Sequence, residues 1–354
     1  MLESFTKARS MNFPRQVIAG HACIDQLGTI CADFELRGTG LVVTGKTTGA
    51  LAGKAVRESL EGKHFDVQEI EVGEATQQNL VKVEEVTKDV KASFLLGLGG
   101  GSKIDLAKLA SANMKIPFIS IPTAASHDGI ASPRASIKDG GNSLSLNASV
   151  PMGIIADTEL IVKAPYRLLA AGCADVISNT TAILDWQLAQ RLRSDDFSSS
   201  AAMAAKYSAE SIIENASLIK PNLEESVWVC IRPIIISGIS MAIAGSSRPT
   251  SGSEHMFSHY LSKIAPGKAL HGELCGVGSI MMMYLHGGDW NRLRNALAMV
   301  GAPTTAEELG VSKEQLIEAL VHAHEIRKDR YTILGDRGLA PDAAERLARI
   351  TKVI

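Results

Sequence analysis

The 354-residue chain lacks several features that would assign it to a functional class outright. Its five cysteines (Cys23, Cys31, Cys173, Cys230 and Cys275) form no Cys-x-x-Cys pair, which argues against a disulfide framework or a thiolate zinc site. Lys and Arg number 36 against 38 Asp and Glu, for a net charge of −2, and they are scattered along the chain. No basic face is expected for a nucleic acid or an anionic membrane. No apolar run reads as a membrane span, and the start Met1-Leu2-Glu3-Ser4-Phe5-Thr6 has no signal-peptide core. Internal repeats and low-complexity tracts are also missing. The expectation is a soluble, cytoplasmic protein without membrane insertion, of two domains or one large one, long enough to bury a substantial core.

What is present begins with alternation. Short apolar runs at Leu41-Thr44, Val67-Val72, Phe94-Leu98, Phe118-Ile121 and Gly153-Ala156 read as strands. Helical patterns such as Leu51-Leu60 and Leu80-Val90 lie between them, which predicts a parallel sheet with helices on its faces. The turn chemistry of Lys138-Asp139-Gly140-Gly141-Asn142 adds a β-hairpin before the last strand. From about Lys163 the texture changes to long helical patterns rich in Ala, Ile, Leu and Met, with Pro165 placed to open the first helix. The predicted organisation is an α/β domain over residues 1–162 and a helical domain over residues 163–354.

In parallel sheets ligands bind beyond the carboxyl ends of the strands. Thr44-Gly45-Lys46, Gly97 to Ser102 and Pro122 to Ser126 all fall there. The segment Gly97-Leu98-Gly99-Gly100-Gly101-Ser102-Lys103-Ile104-Asp105 places four glycines within five residues at a strand-to-helix turn. Such a turn lets a phosphate approach the backbone and meet the free N–H groups of the helix that follows. It matches neither the Gly-x-Gly-x-x-Gly nor the P-loop spacing, yet it favours pyrophosphate binding. Asp128 ends the next such loop, and Gly129 after it suggests a turn that aims the carboxylate outward.

The second half carries a histidine cluster. His255 and His259 sit four residues apart in Gly252-Ser253-Glu254-His255-Met256-Phe257-Ser258-His259, so both imidazoles lie on one helix face. His271-Gly272-Glu273 opens a second apolar stretch that can return a third imidazole to them. A catalytic metal site needs about three protein ligands and one open position. Asp175, in a helical pattern from Leu168 to Leu192 with Val176 and Ile177 beside it, is a carboxylate that needs a partner.

With these residues in view, the chain resembles the glycerol-1-phosphate dehydrogenases of archaeal type. These belong to the superfamily of iron-containing alcohol dehydrogenases, glycerol dehydrogenases and dehydroquinate synthases. The resemblance spans nearly the whole chain. It rests on Gly99-Gly100-Gly101-Ser102-Lys103-Ile104-Asp105, Pro122-Thr123-Ala124-Ala125-Ser126-His127-Asp128-Gly129 and Gly172-Cys173-Ala174-Asp175. It continues through Arg248-Pro249-Thr250-Ser251-Gly252-Ser253-Glu254-His255, His271-Gly272-Glu273 and Arg327-Lys328-Asp329-Arg330-Tyr331-Thr332.

The resemblance implies a Rossmann-like nucleotide-binding domain followed by an all-helical domain. It implies Asp175, His255 and His271 as ligands of one Zn²⁺ per subunit, and NAD or NADP as cosubstrate. Nucleotide contacts map to Gly101, Ser102, Lys103, Ile104, Asp105, Thr123, Ala124, Ala125, Ser126 and Ser132. Substrate contacts map to Asp128, Asp175 and His259, with Asp128 and His259 in catalytic roles. The implied reaction is reversible reduction of dihydroxyacetone phosphate, a small phosphorylated triose, to sn-glycerol 1-phosphate, the backbone of archaeal-type ether phospholipids. Relatives assemble into dimers or larger homo-oligomers.

One departure bears on the metal. Iron-dependent relatives carry a histidine four residues after the aspartate, where this chain has Asn179, and one carboxylate with two imidazoles suits Zn²⁺. Rival readings are a glycerol dehydrogenase, a dehydroquinate synthase-like lyase, and a catalytically inactive nucleotide-binding regulator. A zinc hydrolase is a further alternative because Glu254 adjoins His255, although the His-Glu-x-x-His order is absent. Arg248, Arg327, Lys328 and Arg330 are the candidates for holding a substrate phosphate.

Overall fold

The computed structural model describes residues 10–139 and 142–354. Strands β1 (Gln16–Gly20), β2 (Thr39–Thr44), β3 (Asp66–Glu71), β4 (Phe94–Gly99) and β5 (Phe118–Pro122) precede a hairpin of β6 (Arg134–Asp139) and β7 (Asn142–Asn147). Strand β8 (Gly153–Asp157) follows. All strands but the hairpin form one sheet in the order β1-β8-β5-β4-β2-β3, and every pairing in it is parallel. The hairpin pairs antiparallel from Arg134 opposite Asn147 to Asp139 opposite Asn142, while its expected turn residues Gly140 and Gly141 lie outside the described residues.

The central strands are continuous apolar runs because helices cover both faces of a parallel sheet. Leu95, Leu96 and Leu98 of β4 have no exposed surface, and each contributes about 1.5–3 kcal/mol by leaving water. Edge strand β3 instead buries only Val67 and Ile70, three residues apart, among exposed neighbours. The other edge, β1, was not expected: only its last three residues are even half-buried, so the period-two signal is weak. Several helices begin on side-chain caps. Thr76 accepts from Asn79 N before Gln77–Asp89, and Ser198 accepts from Ala201 N before Ser199–Asn215.

The described residues fall into two compact units. One contains the sheet and comprises Phe13–Leu169 and Lys220–Gly238; the other is helical and includes Ala170–Ile219 and Ile239–Ile354. A single cut after Val162 therefore omits the return of Lys220–Gly238 to the sheet unit. The pattern expected as one helix from Leu168 to Leu192 is two, Tyr166–Ile177 and Asn179–Arg193. They part at Ser178, whose hydroxyl donates to Asp175 O at 2.6 Å. The helix Glu224–Ala244 corrects another expectation. Within its 21 residues an 18-residue window reaches a mean hydropathy of 1.9, enough by length and composition to cross a membrane, yet 61% of that window is buried inside the protein.

Candidate active site

In the helical unit, the helices Ser253–Ile264 and His271–Leu285 pack closely enough to require glycine. A Cβ on Gly278 would lie 2.9 Å from Phe257 and 3.1 Å from Glu254 O. Packing against Tyr166–Ile177 is tighter still, since a Cβ on Gly272 would sit 2.0 Å from Ala171 O. That backbone approach brings His271 to Asp175. Asp175 Oδ1 lies 3.8 Å from both His255 Nε2 and His271 Nε2. Ring centroids are 4.9 Å apart for His255 and His271, 5.7 Å for His259 and His271, and 6.3 Å for His255 and His259.

The start of the Ser253–Ile264 helix is anchored by two buried carboxylates. Asp185 accepts from Ser253 N at 2.7 Å, Ser253 Oγ at 2.5 Å and Ile333 N at 2.7 Å, and His286 Nε2 lies 3.0 Å from it. Glu254 accepts from Gly252 N at 2.6 Å and from Thr181 Oγ1 at 2.9 Å. These contacts satisfy donors that a helix N-terminus leaves unpaired. Glu254 Oε1 also meets His255 Nδ1 at 2.9 Å, an arrangement that leaves Nε2 on the side of Asp175. Burial, reinforced by the charge of Asp185, pushes the Glu254 carboxyl up to about 7. Glu254 is thus engaged in holding the helix start and His255, which gives the hydrolase alternative no support.

Desolvation pushes the pKa of His255 and His259 well below the usual imidazole range, and His271 down to about 4. The imidazoles are therefore neutral at pH 7, with lone pairs available to a metal. Asp175, His255, His271 and Cys275 each offer a ligand atom within 4.8 Å of the others. One carboxylate and two neutral imidazoles converging on a small volume fit a divalent transition metal. Cys275 is the member that sequence reasoning missed; its Sγ lies 3.6 Å from His271 Nε2, one helical turn along. Asn179 is buried at the start of its own helix, with Nδ2 3.5 Å from Ala205 O.

The sheet unit carries the other sequence-assigned residues. Strand β4 ends at Gly99 and the helix Gly101–Met114 starts two residues later. A Cβ on Gly101 would lie 2.1 Å from His127 Nε2, so the His127 ring needs glycine there. Thr123 N donates to Gly99 O at 3.0 Å and ties the loop after β5 to the glycine turn. Gly101, Ser102, Lys103 and Ser126 remain partly accessible, whereas Ile104, Asp105, Thr123, Ala124, Ala125 and Ser132 are buried. Asp105 Oδ2 accepts from Ser136 N at 3.0 Å, and its Oδ1 lies 3.5 Å from the fully buried Lys108. Lys108 Nζ donates to Gly129 O at 2.5 Å and Arg134 O at 2.6 Å, locking the loop that contains Ser132. Asp128 Oδ2 accepts from Ser237 Oγ at 2.8 Å.

Known proteins share this fold. Residues 18–165 match the family model of iron-containing alcohol dehydrogenases. The glycerol dehydrogenase structure from Schizosaccharomyces pombe superimposes with a TM-score of 0.81 at 19% identity, covering 98% of this chain and 91% of that one. The fold is therefore that of the iron-containing alcohol dehydrogenase class, with an α/β domain and a helical one. Within that class the chain is 55% identical over 347 residues to the glycerol-1-phosphate dehydrogenase [NAD(P)+] of Methanosarcina barkeri, covering 98% of this chain and 97% of the relative. The protein of that name from Methanothermobacter thermautotrophicus is 55% identical over 346 residues, covering 98% and 99%. The chain belongs to the glycerol-1-phosphate dehydrogenase family.

Proposed function

We propose that this protein is a metal-dependent glycerol-1-phosphate dehydrogenase that interconverts dihydroxyacetone phosphate and sn-glycerol 1-phosphate with NAD(H) or NADP(H). The observation that carries the reading is the convergence of Asp175, His255 and His271 in a chain 55% identical to relatives of that name. These three residues are the ligands we assign, and Zn²⁺ is the ion their chemistry suits. When bound, the ion supplies Lewis-acid stabilisation of negative charge on the C2 oxygen, and the nicotinamide supplies the hydride.

The chain's own groups do the rest. Glu254 holds His255 in the tautomer that leaves Nε2 unprotonated. His259 is the group we assign to relay the hydroxyl proton, and because burial disfavours its imidazolium the protonated form is short-lived. Asp128 orients a substrate hydroxyl, and the Gly101–Asp105 turn with Thr123 to Ser126 and Ser132 receives the nucleotide. We infer a cytoplasmic homo-oligomer that does not enter a membrane; the buried window of the Glu224–Ala244 helix supports the last point alone.

The test is oxidation of NADH and NADPH by the purified protein, followed by absorbance with dihydroxyacetone phosphate and with dihydroxyacetone. A strong preference for the phosphate, abolished by a chelator and restored by Zn²⁺, is expected. The His271→Ala variant should lose both metal and turnover while retaining nucleotide binding. Comparable kcat/KM for both substrates, or full activity of metal-free protein, would overturn the reading.

A further inference from the structure

Lys108 lies about two turns into the helix Gly101–Met114 and has no exposed surface. An ammonium carries three protons and no acceptor, and burying it is costly unless those protons are met. Here three acceptors stand in reach: Gly129 O at 2.5 Å, Arg134 O at 2.6 Å and Asp105 Oδ1 at 3.5 Å. Burial pushes the Lys108 pKa down from its ordinary value, and the charges of Asp105 and Asp128 act against that by favouring the ammonium. A group so engaged has no proton left for a reacting atom. It joins two segments instead. One is the helix that opens at the glycine turn; the other is the loop from Asp128 to Arg134, which also carries Ser132.

The same loop is fixed at two further places. Gly129 N donates to His127 Nδ1 at 2.8 Å, and Nε2 of that ring occupies the space that Gly101 leaves by lacking a Cβ. Ser237 and Gly238, in the same compact unit, meet the loop as well. Ser237 Oγ donates to the Asp128 carboxylate at 2.8 Å, and a Cβ on Gly238 would lie 2.4 Å from Asp128 O and 3.0 Å from Ser132 N. Resting on the roles given above to Asp128 and Ser132, we propose that Lys108 is a positioning residue for the reaction. It fixes the Asp128 loop against the helix of the nucleotide turn, so that substrate hydroxyl and nucleotide are received in one rigid frame. Without its ammonium the carbonyls of Gly129 and Arg134 and the Asp105 carboxylate are each short of a donor in a dry interior, and the loop shifts to find others.

The test is a double-mutant cycle of Lys108→Met and Asp128→Asn on metal-loaded enzyme, with kcat for dihydroxyacetone phosphate read at saturating nucleotide. Lys108→Met keeps the apolar stem and removes every donor. It should lower kcat about 10- to 100-fold, the upper figure being what a misplacement of about 1 Å costs. In the Asp128→Asn background the same substitution should cost less than about threefold more, because the group it positions is already gone. The Kd for NADH, from fluorescence titration without substrate, should rise in Lys108→Met because Ser132 sits on the same loop, while metal content stays unchanged. Lys108→Gln, with two donors on a shorter arm, should recover part of kcat, and it takes the place of Lys108→Met in the cycle if circular dichroism shows that variant unfolded. Multiplying losses in the double variant would overturn the proposal, as would wild-type kcat in Lys108→Met. Wild-type kinetics in Asp128→Asn alone would instead sink the role given to Asp128, and an unchanged Kd for NADH in Lys108→Met would then overturn the rigid frame as well.

Discussion

The substitution Gly272→Ala tests whether backbone contact between two helices sets the metal site. A Cβ at Gly272 would lie 2.0 Å from Ala171 O, 2.8 Å from Ala171 C and 3.1 Å from the Asp175 Cβ. Backbone atoms cannot rotate aside as a side chain can, and a carbon-to-oxygen contact relaxes to about 3.3 Å. The helices Tyr166–Ile177 and His271–Leu285 must therefore separate by roughly 1.3 Å at this point, given that same contact distance. Asp175 rides on the first helix and His271 begins the second, so the two proposed ligands part with them. Metal–ligand distances tolerate only about 0.2 Å, several times less than the displacement. We expect zinc affinity to fall at least about 100-fold, beyond the 10- to 100-fold typical of disturbing a residue behind the ligands. Stability should fall by about 1–3 kcal/mol, the usual effect of overpacking. Competition against a chromophoric chelator reads the first quantity and urea denaturation of the metal-free protein reads the second, with far-UV circular dichroism confirming the fold. Wild-type affinity and an unshifted midpoint would refute the reasoning.

Two further expectations concern the same cluster. In metal-free protein, His255, His259 and His271 have depressed pKa values against one raised carboxyl, Glu254. Below about 6.5, the ordinary imidazole value, the unfolded chain takes up protons that the folded one refuses, so stability should drop as pH falls from about 6.5 toward 4. His271 is 42% exposed at its side chain, so the more buried pair carries most of this effect. Urea midpoints of chelator-treated protein at pH 7.5 and 5 check it, and equal midpoints would contradict it. For Cys275, a site that takes a substrate oxygen needs an open position, which a fourth protein ligand would close. The cobalt-substituted protein should therefore show no thiolate charge-transfer band in the near ultraviolet, and Cys275→Ser should keep its metal; a band that this substitution abolishes would place sulfur among the ligands.

The sheet was legible because its central strands are buried on both faces and read as unbroken apolar runs, Phe94 to Leu98 above all. Strand β1 escaped notice since an edge strand half in water needs little hydrophobic pattern. The return of Lys220–Gly238 to the sheet unit was equally hidden, because an apolar helix does not advertise which core it joins. In the helical unit the spacing of His255 and His259 pointed to one face, and the structure does bring Asp175, His255 and His271 together. Cys275 was passed over as a cysteine without a cysteine partner, although its distance of four residues from His271 carried the needed signal. Glu254 stood in sequence as a rival catalytic group. Its bond to Gly252 N is local, but the one to Thr181 depends on a tertiary contact between helices that no local pattern encodes.

The carboxylate of Asp185 ties together Ser253, His286 and Ile333, three positions far apart along the chain. Withdrawing any one strand of this knot leaves a charge in the dry interior with fewer donors, so the three segments have little freedom to come loose separately. They should open as one cooperative unit, with slow amide exchange shared between the start of the His255 helix and the turn at Ile333. The turn at Ile333 thereby acquires a stake in the order of the histidine cluster.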